Sequence, residues 1–224
     1  MPLSWLKGYM FGDVYHQGII SHVNLLEDEY NPIRRVIKAH IENESLTDQI
    51  LKAYEITADL PQPGLLGKVE HICGDFICKI PNHALAKERA KHGLSEGRSL
   101  FLYHFDQRSR LPNTLEGTAY HGHELYLFEN LAGEMNEDEQ RIARDFSVSW
   151  IKFTNGIEPW GANDSTSWMV WGQDGKVELK TETEDQDIRN YTRMDMIVQL
   201  DEGNVWRKGW AGIDSLVNRR WKLW

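Results

Sequence analysis

One part of the sequence joins an apolar run to a histidine-bearing segment, and it constrains the fold more than any other part. The run Ser99–Phe105 is apolar and aromatic, which is typical of a buried β-strand. A polar connection leads from it to Thr118–Leu125, where His121 stands before a glycine and shortly before the carboxylate of Glu124. A histidine on a loop beyond a buried strand has the setting that a catalytic base needs, because the strand fixes the position of the loop.

The same residues allow two other interpretations. His121 can be an ordinary surface histidine that precedes a short helix from Glu124 to Leu131. Alternatively, His121 and His123 place two imidazoles close together, as in a metal site. Zinc sites need three or four ligands at compatible spacing, and no third ligand can be assigned from the sequence. We therefore expect no metal ion and no cofactor.

The composition is that of a globular domain and disfavours nucleic acid as a partner. Of the 224 residues, 41% are apolar, which is enough for one domain with a sizeable core. Acidic residues outnumber basic ones by 34 to 25, and there is no long basic run. Binding of nucleic acid through a phosphate-neutralising patch is therefore not expected.

No targeting or anchoring segment is visible in the sequence. The chain has no run of eighteen uninterrupted apolar residues, so no membrane span is predicted. Residues 1–7 lack the apolar core of a signal peptide, so the default expectation is a cytoplasmic location. The two cysteines, Cys73 and Cys78, do not suggest a disulfide-stapled secreted scaffold, and we expect two thiols.

Apolar periodicity in the first part of the chain predicts one strand and several helices. A short strand covers Gly8–Asp13 and breaks at Gly12. Two helices occupy residues 25–60, and Ser45–Gln49 offers the caps of the second helix. A mixed helical stretch covers Val69–Lys91.

The segment Gly93–Gly97 matches Gly-x-Ser-x-Gly, the nucleophile elbow of α/β-hydrolases, with Ser95 at its centre. An elbow needs a strand before the serine and a helix after it. Here the order is inverted, because a helix ends near His92 and the strand Ser99–Phe105 begins after the motif. The sequence therefore predicts a helix–strand turn at Ser95 and no nucleophile there.

The second part of the chain alternates between helix and strand signals. Asn136 and Glu139 form a capping box for a helix with an apolar face, and Gly156 stops that helix. Trp168–Trp171 and Lys176–Lys180 predict a small hairpin or a peripheral strand pair. The remaining predictions are an acidic loop at Thr181–Gln186 and a C-terminal helix within Asn204–Trp224.

The segment Ala119–Leu125 and the apolar residues after it resemble the catalytic-histidine segment of type B carboxylesterases, the family that includes cholinesterases. The family pattern is a histidine, a glycine, any residue, an acidic residue and then apolar residues. Asp75–His83 and Trp150–Pro159 also resemble the family, in the same order. The resemblance implies an α/β fold that is the C-terminal portion of an α/β-hydrolase fold. A few central, mostly parallel strands with flanking helices would form an incomplete sheet, in a single partial domain over residues 1–224.

The resemblance implies catalytic roles for His121 and Gln17. His121 corresponds to the histidine base of the family's serine esterases. The triad acid of the family follows the strand at Gly8–Asp13 and directly precedes a glycine, and Gln17 stands at that position. An amide accepts a hydrogen bond from the histidine ring but cannot stabilise an imidazolium by charge; the comparable Asp→Asn change in a serine protease lowers turnover roughly 10⁴-fold. If Gln17 is not the acid, Glu27 or Glu29 is the next candidate.

The resemblance also implies that the nucleophile elbow and the oxyanion loop lie in an N-terminal part that this sequence does not contain. It therefore predicts a C-terminal fragment of a type B carboxylesterase that is inactive alone. Its substrate would be a small carboxylic ester once an N-terminal half completes it. The alternative is a non-catalytic, cholinesterase-like binding or adhesion protein, because Gln17 departs from the triad. An incomplete sheet also predicts self-association through its exposed edge.

Overall fold

The computed structural model describes residues 7–21, 30–92, 98–124, 135–161, 167–200, 207–209 and 211. The chain forms two compact units, and each is described by itself. The first unit comprises Met1–Tyr15 and Asn82–Asn190, and the second comprises His16–Pro81 and Tyr191–Trp224.

Four of the described α-helices lie between the first two strands, one lies between the second and third strands, and two follow the fourth strand. The α-helices are, in chain order, α1 (Tyr30–Ile41), α2 (Glu44–Ala53), α3 (Gln62–Gly74), α4 (Ile80–His92), α5 (Glu137–Thr154), α6 (Glu182–Arg189) and α7 (Tyr191–Gln199). Three short segments have other helical geometries: 3₁₀ turns at Gln17–Ser21 and Gln173–Gly175, and a π-helical turn at Asp75–Lys79.

A four-stranded sheet forms the first unit, with the strands in the order β1-β2-β3-β4. The strands are β1 (Gly8–Val14), β2 (Ser99–Phe105), β3 (Ser167–Trp171) and β4 (Val177–Thr181). β1 and β3 both run parallel to β2, and β4 pairs antiparallel with β3. The sheet is thus mixed, not closed and flanked by helices, which confirms the predicted α/β class with few central strands.

The extent of β1 differs from the sequence-based expectation, whereas the pairing of β3 and β4 agrees with it. β1 does not break at Gly12 but continues to Val14. Gly12 is needed for close packing, because a Cβ atom there would lie 2.1 Å from ring atoms of Tyr103 on β2. The hairpin predicted at Trp168–Trp171 and Lys176–Lys180 is confirmed, because β3 and β4 pair antiparallel at one end of the sheet and β3 joins β2 through the register of Trp171 with Phe105.

Helix α5 supplies the apolar face that packs on the sheet, as the capping box and the spacing predicted. The Asn136 side chain accepts a hydrogen bond from the Glu139 backbone at 2.9 Å, and the Glu139 carboxylate accepts one from the Asn136 backbone at 3.1 Å. Gly156 follows the helix with a positive φ of 71°. The core that joins α5 to the sheet consists of Val14, Phe105, Met135, Ile142, Ala143, Phe146 and Trp171.

The predicted acidic loop at Thr181–Gln186 is wrong, because this segment begins helix α6. Thr181 is the N-cap: its hydroxyl accepts from the Glu184 backbone at 3.3 Å, and the Glu184 carboxylate accepts from the Thr181 backbone at 2.8 Å. The acidic residues lie in the first turn, where they interact favourably with the helix dipole. The charges that suggested a loop therefore help to start a helix.

The second unit is helical, as predicted for most of its length. Helix α2 begins at Glu44, just before the caps expected at Ser45–Gln49, because Asn43 is the N-cap and accepts from the Leu46 backbone at 3.1 Å. The helical stretch predicted at Val69–Lys91 is confirmed, with the π-helical turn inside it. Helix α7 was not predicted.

A buried polar cluster centred on Asp75 holds the second unit together. Asp75 is fully buried and accepts hydrogen bonds from the Tyr54 hydroxyl at 2.9 Å and from Arg193 Nη2 at 2.8 Å. Lys79 Nζ lies 3.3 Å from the other carboxylate oxygen. Burial raises the pKa of the Tyr54 hydroxyl well above its usual value, so it remains a donor to Asp75.

Several predictions fall outside the described residues. These are Ser95, Glu27, Glu29, most of Asn204–Trp224 and the helix expected beyond Glu124. Within the described part, Cys73 and Cys78 are thiols rather than a disulfide, as expected. No helix in that part is long and apolar enough to cross a membrane.

Candidate active site

The connection between β2 and His121 is held by backbone hydrogen bonds at both of its ends. Where it leaves β2, the Asp106 backbone donates to the Trp171 carbonyl at 2.8 Å. Further on, Ser109 and Thr118 close a polar excursion, since the Ser109 backbone donates to the Thr118 carbonyl at 2.8 Å. The excursion therefore returns to its starting point, and His121 follows it directly.

His121 lies on a tight turn and is exposed to solvent. Gly122 allows the turn because its φ is +88°, a value that favours glycine. The Gly122 backbone donates to the Glu124 carboxylate at 3.1 Å, and the His123 backbone donates to the Tyr120 carbonyl at 2.9 Å. The glycine and the acidic residue of the motif thus form the turn that presents the His121 ring.

The His123 ring is in the opposite environment. It is fully buried, with ring centroids 5.0 Å from Tyr120 and 5.9 Å from Phe105. Burial lowers the pKa of His123 to about 4, so the imidazole is neutral at pH 7. The described residues hold no group of three or more His, Cys, Asp or Glu side chains that could bind a metal ion. His123 is therefore a packing residue.

Gln17 is the first residue of the 3₁₀ turn Gln17–Ser21 and is buried, with 5% of its surface exposed. The turn packs tightly on helix α3: a Cβ atom on Gly18 would lie 1.9 Å from the Glu70 carbonyl oxygen. The preceding His16 reinforces this contact, since its Nδ1 lies 2.8 Å from the Glu70 carboxylate. The glutamine thus stands on a segment that is fixed within the second unit.

The topology of the sheet determines where the segments that lead to Gln17 and His121 leave it. β1 and β2 are adjacent and parallel, so their carboxyl ends meet at the same edge of the sheet. Gln17 follows β1 along the chain, and His121 follows β2. Because Gln17 belongs to the second unit and His121 to the first, contact between their side chains stays a prediction. The single partial domain over residues 1–224 also stays a prediction.

Sequence reasoning missed a buried ionic network at the carboxyl ends of β1 and β2. Asp13 and His104 are partners in the strand register, and His104 Nδ1 lies 3.0 Å from the Asp13 carboxylate. Arg189 of helix α6 has Nη1 3.0 Å from Asp13 and also contacts Asp106 through Nη2. The signal was present as ionisable residues at the ends of two otherwise apolar strands.

His104 makes two further contacts. Its ring stacks on Trp168 of β3, with 4.2 Å between ring centroids and 5° between planes. Its Nε2 lies 3.6 Å from the carboxylate of Asp185 on helix α6. Burial raises the pKa of the Asp185 carboxyl, and the nearby His104 and Arg189 oppose this shift. The network therefore joins two neighbouring strand ends to one helix.

Comparison with known proteins places the chain in a family. The sequence model of the Carboxylesterase family matches residues 9–198. The chain belongs to the carboxylesterase family. No curated protein matches the sequence.

Solved carboxylesterase structures share the fold of this chain. A PNB esterase superposes with a TM-score of 0.58 and is 16% identical over 83% of this chain. Another PNB esterase structure gives 0.56 and 18% over 81%, and a thermophilic PNB esterase gives 0.59 and 15% over 83%. The match to the Carboxylesterase family model confirms the family resemblance inferred from Ala119–Leu125. This chain spans only 37–38% of the length of those carboxylesterases.

Proposed function

We propose that this carboxylesterase chain supplies the histidine base of a serine esterase that hydrolyses small carboxylic esters, and that the 224 residues are inactive alone. The observation that carries the proposal is the exposed His121 turn, in a chain whose family and fold are those of carboxylesterases. An exposed imidazole at the carboxyl edge of a parallel sheet is placed to reach a substrate.

In this proposal His121 acts as the general base. It accepts the proton of a serine hydroxyl as the serine attacks the ester carbonyl, and it returns that proton to the leaving alkoxide. His123 is unsuited to this role, because its ring is buried and its pKa of about 4 makes it a weak base at neutral pH. Of the two neighbouring histidines, only His121 combines the family motif with access to solvent.

The nucleophile is assigned to a part of the protein that these 224 residues do not contain. The sequence has one Gly-x-Ser-x-Gly motif, centred on Ser95. The described elements around it are α4, which ends at His92, and β2, which begins at Ser99. This is the inverse of the strand–serine–helix order that an elbow requires. The span of 37–38% of the PNB esterase chains supports the assignment, since most of such a chain has no counterpart here.

Gln17 is assigned to the place of the triad acid. As an amide, it can accept a hydrogen bond from the ring of His121 and orient it, but it cannot offset the charge of the imidazolium that forms during acylation. The completed protein would therefore be a slow esterase.

The test is to supply an N-terminal half and assay ester hydrolysis. The N-terminal part of a PNB esterase would be fused ahead of Met1, and turnover of a short p-nitrophenyl ester would be measured. We expect the fusion to turn over, and the 224-residue chain to show no more activity than free imidazole. In the fusion, His121→Ala should reduce activity to background, whereas His40→Ala on helix α1 should not. Turnover by the 224-residue chain, with Ser95 labelled by an organophosphate, would overturn the proposal.

A non-catalytic binding protein is the second candidate, and Gln17 is the observation that favours it. A protein that has given up hydrolysis has no need for a carboxylate at this position. The same fusion distinguishes the two functions, because a folded and monomeric fusion that stays inert even with Gln17→Glu would favour binding.

A further inference from the structure

The buried network of Asp13, His104, Asp106, Asp185 and Arg189 has no part in the proposed chemistry. All five side chains are at least nine-tenths buried, with between 0% and 7% of the residue surface exposed. Ionisable groups lose hydration when they are buried, and such a cluster is seldom more stabilising than apolar side chains of the same size. Packing alone therefore does not account for ionisable side chains at this position.

Arg189 is the residue that joins the parts of the network. Its Nη1 lies 3.0 Å from Asp13, near the end of β1, and its Nη2 contacts Asp106, the first residue after β2. The planar guanidinium can bridge two carboxylates at fixed geometry, which a lysine cannot do. The ring of Tyr15 lies 5.6 Å from the guanidinium carbon and covers one side of it.

The two carboxylates that Arg189 bridges, Asp13 and Asp106, lie where β1 and β2 end. Asp106 begins the connection that leads to His121, and its backbone is hydrogen-bonded to Trp171 at 2.8 Å. Asp13 precedes Gln17 by four residues along the chain. Arg189 therefore bridges the ends of the two strands that lead, along the chain, to Gln17 and to His121.

We propose that Arg189 is a positioning residue, which holds the ends of β1 and β2 together through Asp13 and Asp106 and so fixes the start of the connection that presents His121. This proposal rests on the proposed function only where it assigns His121 a catalytic role. Asp185 lies on the same helix as Arg189, 3.8 Å from its Nε and 3.6 Å from His104 Nε2, so its contact with Arg189 does not join the two strand ends.

The first experiment uses hydrogen–deuterium exchange on the 224-residue chain. Asp106→Asn and Asp13→Asn each remove one charge that Arg189 holds, with almost no change in shape. Asp185→Asn is the matched control, since it removes the same charge from the same buried network. Asp106→Asn should speed exchange in residues 106–118 by about tenfold or more and leave α5 unchanged. Asp13→Asn should speed exchange in β1 and in the same connection. Asp185→Asn should speed exchange in α6 alone. Equal effects of all three variants, or no effect in 106–118, would overturn the proposal.

The second experiment measures kinetics in the fusion with the PNB esterase N-terminal part. Asp106→Asn should lower kcat about tenfold with KM nearly unchanged, because the base is displaced while the ester-binding surface is not. Asp185→Asn should retain kcat. Faster exchange without a loss of kcat would overturn the positioning role. If the unmodified fusion is inactive, the proposed function fails, and the exchange experiment still decides whether Arg189 fixes the connection. If Asp106→Asn does not fold, Arg189→Lys replaces it, with the same expected pattern.

Discussion

The imidazole of His121 is exposed, whereas that of His123, on the same turn, is fully buried against Phe105 and Tyr120. Gly122, which has a positive φ, separates the two residues along the chain. The motif therefore contains one exposed histidine and one histidine that packs against aromatic rings.

The buried His123 should make the protein sensitive to acid. Its pKa of about 4 in the folded chain lies below the value of about 6.5 for an unfolded histidine, so only the unfolded chain binds this proton between those pH values. The contribution of the neutral His123 to the free energy of unfolding is complete above about pH 6.5. As the pH falls toward 4, this free energy should decrease by on the order of 3 kcal/mol. Urea unfolding of the wild type and of His123→Phe from pH 7 to pH 4.5 measures this loss. The variant should lose less stability than the wild type over this range. Some loss should remain, because burial and the nearby Lys79 also lower the pKa of His71 to about 4. An NMR titration of His123 near pH 6.5 would contradict the prediction.

Gly18 should tolerate no side chain. A Cβ atom there would lie 1.9 Å from the Glu70 carbonyl oxygen and 2.6 Å from the Gly74 backbone nitrogen, and backbone atoms cannot move aside like a flexible side chain. We expect Gly18→Ala to lower the free energy of unfolding by about 1–3 kcal/mol or more. Gly67→Ala on helix α3 is the matched control, because a Cβ atom there meets nothing within 4 Å. Alanine inside a helix should raise stability by about 0.5–1 kcal/mol. Equal effects of the two changes in urea unfolding would disprove the packing of the turn on α3.

Thr181 should contribute to stability through the start of helix α6. Thr181→Ala removes the hydroxyl that accepts from the Glu184 backbone, and we expect a loss of about 1 kcal/mol. The control is Thr183→Ala, which replaces an exposed threonine two residues further along, inside the helix and not at its N-cap. Thermal or urea unfolding measures both changes. A loss as large for Thr183→Ala would show that the capping box is not the cause.

Gln17 should limit the turnover of a completed enzyme. In the fusion with a PNB esterase N-terminal part, Gln17→Glu should raise kcat by about 10²–10⁴, because a carboxylate offsets the charge that forms on His121. The combination of Gln17→Glu with His121→Ala should stay near background. If Gln17→Glu leaves kcat unchanged in a fusion that folds and binds substrate, position 17 is not that of the triad acid, and Glu27 or Glu29 would be tested next.

Local patterns predicted the elements whose signals are local. The apolar run Ser99–Phe105 is β2, and the Asn136–Glu139 capping box begins α5. The same spacing at Thr181 and Glu184 was overlooked, because the density of acidic residues suggested a loop. Acidic residues are common both in loops and in the first turn of a helix, and a capping threonine before them, here Thr181, favours the helix.

The ionic network lay beyond the reach of local patterns. Its contacts join residues that are far apart in sequence, 91 residues from Asp13 to His104 and 83 from Asp106 to Arg189. They depend on the order and register of the strands, which neither periodicity nor composition determines. The exposure of His121 and the burial of His123 likewise follow from the turn at Gly122, whose conformation the sequence permits but does not require.

The pairing of β1 with β2 has a consequence for folding during synthesis. The partners Asp13 and His104 are 91 residues apart, so translation at about 5–20 residues per second delivers β2 roughly 5–20 s after β1. β3 and β4 are joined by a short turn at residues 172–176, and such hairpins form in about 1–10 μs. The strand that carries Asp13 is thus made first and paired late, and until then its aromatic side chains must be covered by neighbouring helices or by a chaperone.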